Sequence, residues 1–296
     1  MGILHQFEQS VVQVLKHNKD GSRETQADRG KSLKQSVNTI HELGYQLTHV
    51  RYVKEKHIRR LVNHWLTVEE LGAGTIKNRM SHIRWLMQKV NKANVVPSND
   101  NLNIPKRIYV TNEDKSRELT KEDLNKIHDD YMEMSLKAQK LFGLRMEESL
   151  KVQPFVADQG DQFFVKKSWA KGGRERTIPV VTAEQRQWLD DCKLLVKFKK
   201  NSLIPADTSF ITYYRRFRQR CDRNGINKRH GHRHLYAQQR YEELTGMPCR
   251  VKGGLLWKEM TKEQLELDKA ARLEISRAIG HSRVGISNAY LGSVRK

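Results

Sequence analysis

The sequence predicts two domains, the first all-α and the second mainly α with a small β-sheet (α+β). Its 296 residues are enough for two modules, since a domain usually contains roughly 100–200 residues. Apolar residues recur at helical spacing through the first third, and a stretch rich in Pro, Asn and Asp follows at 96–117. Two β-rich stretches stand within the otherwise helical remainder. We therefore expect domains at 1–112 and 118–296, joined by a linker at 113–117.

Three amphipathic helices are predicted in the first domain, because apolar residues recur there every three or four positions. Their stripes run through 33–43, 58–65 and 76–90. Gly44 follows the first stripe as a stop, and Thr75 is the expected N-cap of the third helix. The composition of 21–31 predicts a mobile loop ahead of them.

The second domain begins with a predicted helix that is capped by Thr120. Two β-rich stretches, 162–169 and 175–181, flank the glycine-containing turn 170–174 and predict a β-hairpin. Thr182 opens a Thr-x-x-Gln capping box and starts the next helix. Further helices are expected around 208–221, 231–245, 262–279 and 282–292.

The charge balance points to a polyanionic partner. Fifty-five Lys and Arg residues against 34 Asp and Glu residues give a net charge of +21. The excess is spread along the chain, since residues 1–117 hold 20 basic and 11 acidic side chains and the remainder holds 35 and 23. We therefore expect both domains to contact nucleic-acid phosphates, against the alternative of a merely soluble basic protein.

The composition excludes a membrane protein, because 30% of the residues are charged and no run of about 18 apolar residues occurs. The three cysteines are too widely spaced for a disulfide framework or a zinc site, which favours a reducing compartment. The N-terminus has no secretory signal pattern. These features predict a cytoplasmic protein.

Basic side chains lie on the faces opposite the apolar stripes of the first domain. They form either a solvated surface or a set of contacts to DNA phosphates. The side chains are those of Arg59, Arg60, Lys77, Arg79 and Arg84.

Four clusters carry side chains suited to chemistry. They are GLRMEE at 143–148, Lys171 in the hairpin turn, HGHRH at 230–234, and Gly-His-Ser-Arg at 280–283 followed by Tyr290. Taken one at a time, each has an ordinary surface or packing explanation. A metal site at HGHRH is disfavoured, because on a helix the first and last histidines share a face and the middle one points away. No nearby carboxylate or cysteine completes a set of ligands.

Together the clusters hold the groups that phosphoryl transfer requires. Planar Arg side chains stabilise the charge that builds on the non-bridging oxygens of an attacked phosphodiester. His and Lys transfer protons, and a Tyr among cations can be a covalent nucleophile. The set predicts a reaction with neither a metal nor a cofactor. It consists of Arg145, Lys171, His230, Arg233, His281 and Tyr290.

The order of these groups resembles the tyrosine recombinase, or integrase, family. The matching stretches are GLRMEE, AKGGRERTIPV at 170–180, HGHRH, and IGHSRVGISNAYL at 279–291. The resemblance covers a catalytic domain over 118–293. The first third is similar to the family's helical core-binding domain by pattern alone, through TIKNRMSHIRWLM at 75–87.

The resemblance implies how the nucleophile and its clamp would work. Tyr290 would attack the scissile phosphate, form a 3′-phosphotyrosyl link and release a 5′-hydroxyl. Arg145 and Arg233 would clamp the phosphate oxygens. Lys171 would protonate the leaving 5′ oxygen.

The same resemblance implies supporting roles for three further residues. His230 would assist proton transfer, and His281 would hydrogen-bond the phosphate. Glu148 would brace the active site. The spacing alone predicts an i, i+3 salt bridge between Glu148 and Arg145, which is compatible with that role.

Two features depart from the family pattern. The chain is longer than usual between Arg233 and His281, around 246–267. This insertion is either neutral, a partner surface, or a DNA contact that uses Lys252. Only residues 291–296 follow the nucleophile, which leaves open how subunits would dock.

The resemblance therefore implies a site-specific DNA recombinase of a mobile element, associated with the nucleoid of a bacterial cell. It would act on double-stranded DNA as a homotetramer on two DNA sites, and accessory DNA-bending or directionality proteins remain candidate partners. Three alternatives stay open: a type IB topoisomerase-like enzyme that relaxes DNA, an inactive DNA-binding relative, and a His-dependent metallonuclease.

Overall fold

The chain folds into two mainly helical units. The computed structural model describes residues 2–295, and the division between the units falls after Ile108. Within these residues the only sheet has two strands and lies in the second unit. The predicted fold class, an all-α part followed by a mainly α part with a small β-sheet, is confirmed.

The first unit is built on the apolar stripes that the sequence predicts. Its helices are α1 (Ile3–His17), α2 (Arg23–Glu42), α3 (Glu55–Thr67) and α4 (Ala73–Lys89). Short 3₁₀ turns lie between α2 and α3 at Val50–Tyr52 and after α4 at Ala93–Val95. Trp65 of α3 and Ile76 of α4 are fully buried, so the stripes form the core of this unit.

The mobile loop predicted at 21–31 is wrong, because α2 covers most of this segment. The hydroxyl of Ser22 accepts a hydrogen bond from the Thr25 amide at 3.1 Å and caps the helix. Arg29 is buried, with its guanidinium carbon 3.9 Å from the centroid of the Trp85 ring. This first part of α2 turns a polar side chain inward, which is why it shows no apolar periodicity.

The N-cap of α4 is Gly72 rather than the predicted Thr75. Thr75 lies inside the first turn, and its backbone N–H donates to the Gly72 carbonyl oxygen at 2.9 Å. Glycine is an acceptable N-cap residue, so the helix begins earlier than the threonine indicates.

The stretch expected to link the domains is ordered on both sides of the division. Leu102 and Ile104 are buried in the core of the first unit. Residues 113–117 belong to the second unit, where the Arg117 amide donates to the Gly231 carbonyl oxygen at 3.1 Å.

Nine helical segments build the second unit as the structure describes it. They are α5 (Lys121–Asn125), α6 (Asp130–Leu141), α7 (Met146–Lys151), α8 (Pro154–Ala157), α9 (Ala183–Val196), α10 (Phe210–Arg223), α11 (His230–Thr245), α12 (Lys262–Ala278) and α13 (Asn288–Leu291). Thr120 and Thr182 cap α5 and α9, as predicted. The helix expected over 282–292 is a 3₁₀ turn at Val284–Ser287 that continues into α13.

The predicted β-hairpin is present but has a longer connection than a tight turn. Strands β1 (Gln162–Val165) and β2 (Arg176–Pro179) pair antiparallel. Phe163 pairs with Ile178, and both are buried. The Phe163 ring stacks on Phe142 with 4.3 Å between centroids. The hairpin is thereby anchored on the helices, and its connection, residues 166–175, contains the buried Trp169.

Among residues 2–295, the helices are all too short or too polar to span a lipid bilayer.

The turn between α6 and α7 depends on Gly143. Its φ is +57°, and a Cβ there would lie 2.5 Å from the Tyr236 ring. Gly143→Ala should therefore lower the free energy of unfolding by about 2 kcal/mol more than Gly160→Ala does. Gly160 is the matched control, because its φ is also positive at +79° but no described atom lies within 4 Å of a Cβ. Equal losses in urea unfolding would contradict the close packing against Tyr236.

Candidate active site

Arg233 is the buried centre of the site. It lies in the first turn of α11 and is 1% exposed. Its two terminal nitrogens donate to the carbonyl oxygens of Gly143 and Ile279, and its Nε donates to the Tyr290 hydroxyl at 3.2 Å. Burial lowers the pKa of Arg233 to about 10, so the guanidinium stays charged at neutral pH. Within residues 2–295 no carboxylate forms an ion pair with Arg233.

Tyr290 lies in α13 and is buried among imidazoles. Its ring centroid is 4.6 Å from that of His234, 5.8 Å from that of His230 and 6.2 Å from that of His281. The hydroxyl is fixed by its hydrogen bond from Arg233. A phenol held between a cation and imidazoles has both a charge to stabilise its anion and nearby acceptors for its proton.

Glu148 joins two arginines at the base of the site. Its carboxylate is 1% exposed and accepts from Arg145 Nη1 and from Arg176 Nη2, each at 2.8 Å. It also accepts from the Arg145 backbone amide at 2.9 Å and so caps α7. Burial raises the pKa of Glu148, but the Arg176 and Arg145 guanidinium groups outweigh this effect and hold the pKa at about 2. The carboxylate is therefore charged at neutral pH and fixes both arginines.

Arg176 is a residue that the sequence analysis missed. Its side chain is 7% exposed, and its Nε donates to the Ala278 carbonyl oxygen at 2.7 Å. A Cβ at Gly280 would lie only 3.1 Å from its Nη1. The sequence does contain a signal that Arg176 faces inward. Arg176 and the buried Ile178 stand two positions apart on a strand and so share a face.

The histidines near Tyr290 are neutral at pH 7. Desolvation, followed by the positive charges of Arg233 and Arg145, lowers the pKa of His230 and of His281 to about 4. His230 keeps an exposed edge, whereas the Nε2 atom of His281 is buried and has no hydrogen-bond partner in the described part of the chain. A neutral imidazole can accept a proton at one ring nitrogen and donate from the other.

His234 is a second residue that the sequence analysis left without a role. It follows His230 by one helical turn, which brings the two rings within 5.4 Å between centroids. Desolvation and the His230 ring lower the pKa of His234 to about 4. The i, i+4 spacing was a usable signal for this placement.

Lys171 lies apart from the other five predicted catalytic residues. It is exposed in the connection 166–175, and within residues 2–295 no hydrogen bond or ion pair holds its side chain. The same connection is tied to the region after His281, because Arg174 Nη1 donates to Ser282 Oγ at 3.1 Å. The structure therefore groups Arg145, His230, Arg233, His281 and Tyr290, and leaves Lys171 on an adjoining loop.

Arg272 of α12 holds both ends of the helix that carries Tyr290. It is 4% exposed and donates to the Asp268 carboxylate at 2.8 Å through Nε. Its Nη1 donates to Asn288 Oδ1 at 2.9 Å and to the Gly292 carbonyl oxygen at 3.0 Å. The i, i+4 spacing of Asp268 and Arg272 could have indicated an ion pair, but no local pattern indicates its contacts with α13.

The six side chains expected to contact DNA have different surroundings. Four have intramolecular partners: Arg59 binds Glu55 at 2.7 Å, Arg79 binds Glu69 at 3.2 Å, Arg84 binds Asn99 at 2.8 Å, and Lys252 binds Asp114 at 2.6 Å. Arg60 and Lys77 form no ion pair within residues 2–295. These two side chains are the most readily available to an outside anion.

The site as a whole is suited to an anionic substrate. Arg145 keeps 22% of its side chain exposed, so it can still bind an anion while Glu148 holds one edge of its guanidinium. Arg233 adds a buried positive charge, and neutral imidazoles surround the Tyr290 ring. A phosphodiester bound here would meet fixed positive charge, a buried phenol and proton-transfer groups.

Two family models match the chain. One is described as "Phage integrase, N-terminal" and matches residues 4–96, and the other is described as "Integrase" and matches residues 109–239. Together they span well over half of the chain. No curated protein sequence matches it significantly.

Three solved structures illustrate the fold that the chain shares. A lambda integrase tetramer bound to a Holliday junction has a TM-score of 0.57 at 15% identity, over 96% of this chain and 77% of that one. XerH site-specific recombinase bound to difH substrate has a TM-score of 0.53 at 15% identity, over 96% and 80%. The Tn1549 transposon integrase in complex with transposon right end DNA has a TM-score of 0.56 at 12% identity, over 98% and 95%.

The charge of Glu148 should be essential to the stability of the second unit. Glu148→Gln removes the charge that pairs two arginines, and we expect a loss of about 3 kcal/mol in the free energy of unfolding. Glu147→Gln is the matched control, because Glu147 is 41% exposed and, among residues 2–295, forms an ion pair only with Lys151. The control should lose about 0.5 kcal/mol or less. Similar losses for the two variants in urea unfolding would argue against a buried bridge.

Proposed function

Since the chain belongs to the phage integrase, or tyrosine recombinase, family, we propose that it is a site-specific DNA recombinase that cuts and rejoins DNA through a 3′-phosphotyrosyl intermediate. The observation that carries this proposal is the hydrogen bond of 3.2 Å between Arg233 Nε and the Tyr290 hydroxyl. It places a buried phenol on a buried cation, among the three neutral histidines His230, His234 and His281.

In the cleavage step the Tyr290 oxygen attacks the scissile phosphorus, and the bond from phosphorus to the 5′ oxygen breaks. The phenol proton passes to a neutral imidazole, for which His230 is the nearest predicted base. Arg145 and Arg233 stabilise the charge on the non-bridging oxygens, and His281 donates a hydrogen bond to one of them. The products are a 3′-phosphotyrosyl link and a free 5′-hydroxyl.

Lys171 supplies the proton that the leaving 5′ oxygen needs. Its exposure on a ten-residue connection favours this role, because a long, unpaired ammonium can reach a bound backbone. The connection is held near His281 by the bond between Arg174 and Ser282. Binding of DNA would bring Lys171 to the other groups.

The reaction requires no metal and no cofactor in this proposal. Three cations of the chain, Arg145, Lys171 and Arg233, provide the positive charge that phosphoryl transfer needs. The phosphotyrosyl bond retains the energy of the broken phosphodiester, so attack by a new 5′-hydroxyl rejoins the DNA and restores the tyrosine.

The partner is double-stranded DNA, bound through the basic surfaces of both units. The net charge of +21 supports this, as do the unpaired Arg60 and Lys77. We place the active assembly as a homotetramer on two DNA sites, by analogy with the lambda integrase tetramer on a Holliday junction. Integration or excision of a mobile element is the expected role, in line with the similar Tn1549 transposon integrase.

Covalent trapping tests the nucleophile. Wild-type protein incubated with a library of nicked duplexes of random sequence should form a denaturant-stable protein–DNA adduct. The short fragment that carries the new 5′-hydroxyl diffuses away after cleavage, so the strand cannot be rejoined. Tyr290→Phe should form none, since it lacks the attacking oxygen. Tyr214→Phe, a half-buried tyrosine of the same unit, serves as the control and should form the adduct. An adduct with Tyr290→Phe would show that another residue attacks.

A modified leaving group tests Lys171. Lys171→Ala should slow cleavage of ordinary DNA by about 100-fold or more, as expected when a general acid is lost. The same variant should cleave a 5′-phosphorothiolate at nearly the wild-type rate, because a thiolate leaves without a proton. Lys166→Ala, an exposed lysine of the same connection, should leave both rates unchanged. Equal slowing of both substrates by Lys171→Ala would remove its role as the acid.

A further inference from the structure

Residues 112–117, here called the strap, run across the start of α11. The Arg117 amide donates to the Gly231 carbonyl oxygen at 3.1 Å, and the Arg117 carbonyl oxygen is 2.9 Å from His232 Nδ1. Gly231 and His232 belong to HGHRH, and the proposed chemistry does not use them. They serve to hold the strap instead.

The approach of the strap to α11 requires a glycine. A Cβ at Gly231 would lie 2.7 Å from Arg117 Cβ and 2.9 Å from the Lys115 carbonyl oxygen. The neighbouring His232 is fully buried, so its bond to the strap is shielded from water. The strap is thus fitted to the turn that carries His230 and Arg233.

The strap is also connected to the helix of the nucleophile at two points, once through Gln238 and once at Ser293. Asp114 Oδ1 accepts from Gln238 Nε2 at 2.9 Å, and the same Nε2 is 3.3 Å from the Tyr290 carbonyl oxygen. Asn112 Oδ1 accepts from the Ser293 amide at 2.8 Å. Gln238 thus links Asp114 to Tyr290, and the direct contact of Asn112 lies just beyond the end of α13.

The insertion around 246–267 also contacts the strap, through an ion pair with Asp114. Lys252, in a 3₁₀ turn at Arg250–Lys252, pairs with Asp114 Oδ2 at 2.6 Å. Desolvation raises the pKa of Asp114, but hydrogen bonds from Lys252, Ser116 and Gln238 hold it well below its usual range. Asp114 is therefore a charged junction between the insertion, α11 and α13.

We infer that the strap is a positioning device for the proposed strand transfer, in which Asp114 and Asn112 hold α13 so that the Tyr290 hydroxyl stays on Arg233. This inference rests on the proposed function, because it assigns the strap an effect on the attack by Tyr290. Neither residue touches the reacting atoms. Lys252 contributes to the same junction through Asp114 rather than by contacting DNA.

The inference predicts a loss of cleavage rate without a loss of DNA affinity. A misplacement of about 1 Å in a reacting group can cost about 100-fold in rate. Asp114→Ala removes a negative charge from a basic protein, so its affinity for DNA should stay the same or rise. A slower reaction in this variant cannot then come from weaker binding.

The experiment measures single-turnover cleavage and DNA affinity on a duplex recovered from adduct trapping. Asp114→Ala and Asn112→Ala should each cleave about 10- to 100-fold more slowly with dissociation constants within twofold of wild type. The loss should be equal on ordinary and 5′-phosphorothiolate DNA, because the attacking group and not the leaving group is misplaced. Asp114→Asn keeps one oxygen acceptor for Gln238 and should recover part of the rate.

Glu113→Ala is the matched control, since Glu113 is an exposed acid next to Asp114 without an ion pair in the described chain. It should cleave at the wild-type rate. Wild-type rates for Asp114→Ala and Asn112→Ala would overturn the inference, and so would a rate loss matched by an equal loss of affinity.

Hydrogen–deuterium exchange tests the strap without any reaction. Amides of 288–294 should exchange faster in Asp114→Ala than in wild type or in Glu113→Ala, and unchanged exchange would overturn the inference. This readout separates the two proposals. If wild-type protein forms no adduct but the variant exchanges faster, the proposed function fails while the strap still holds α13.

Discussion

The burial of one cation, Arg233, governs the rest of the site. A charge removed from water is costly unless hydrogen bonds replace its hydration. Arg233 is 1% exposed and finds its partners in the carbonyl oxygens of Gly143 and Ile279 and in the Tyr290 hydroxyl. These groups come from three separate parts of the second unit. The fold must bring them together to satisfy one guanidinium, and in doing so it places the phenol on the cation.

The position of the Glu148 carboxylate determines which arginines of the site are neutralised. Glu148 neutralises the inner edges of Arg145 and Arg176, and Arg233 has no carboxylate partner among the described residues. The site therefore keeps a net positive field, which adds to desolvation in keeping His230 and His281 neutral at pH 7. An entering phosphate would supply the missing negative charge. A site of this kind is complete only when its anionic substrate is bound.

Local patterns in the sequence predicted much of the fold but only part of the site. The apolar stripes, the hairpin and the caps at Thr120 and Thr182 are properties of neighbouring residues, and they were predicted correctly. The first part of α2, from Arg23, was not predicted because its buried face is polar. The contacts of Arg272 with α13, and those of the strap with Gln238 and Ser293, join residues that are distant in sequence. Residue order identified candidates for catalysis and the i, i+3 pair of Glu148 with Arg145, but it does not reveal the supporting contacts between residues distant in sequence, and the catalytic roles stay predictions.

The measurement that tests the central claim most directly is the chemical identification of the protein–DNA bond. A wild-type adduct, trapped on nicked DNA and digested with nuclease and trypsin, should yield one modified peptide, residues 284–295, with a nucleotide attached to Tyr290 through its 3′-phosphate. Fragmentation by mass spectrometry would locate the linkage. A nucleotide on any other residue, or one joined through a 5′-phosphate, would contradict the account.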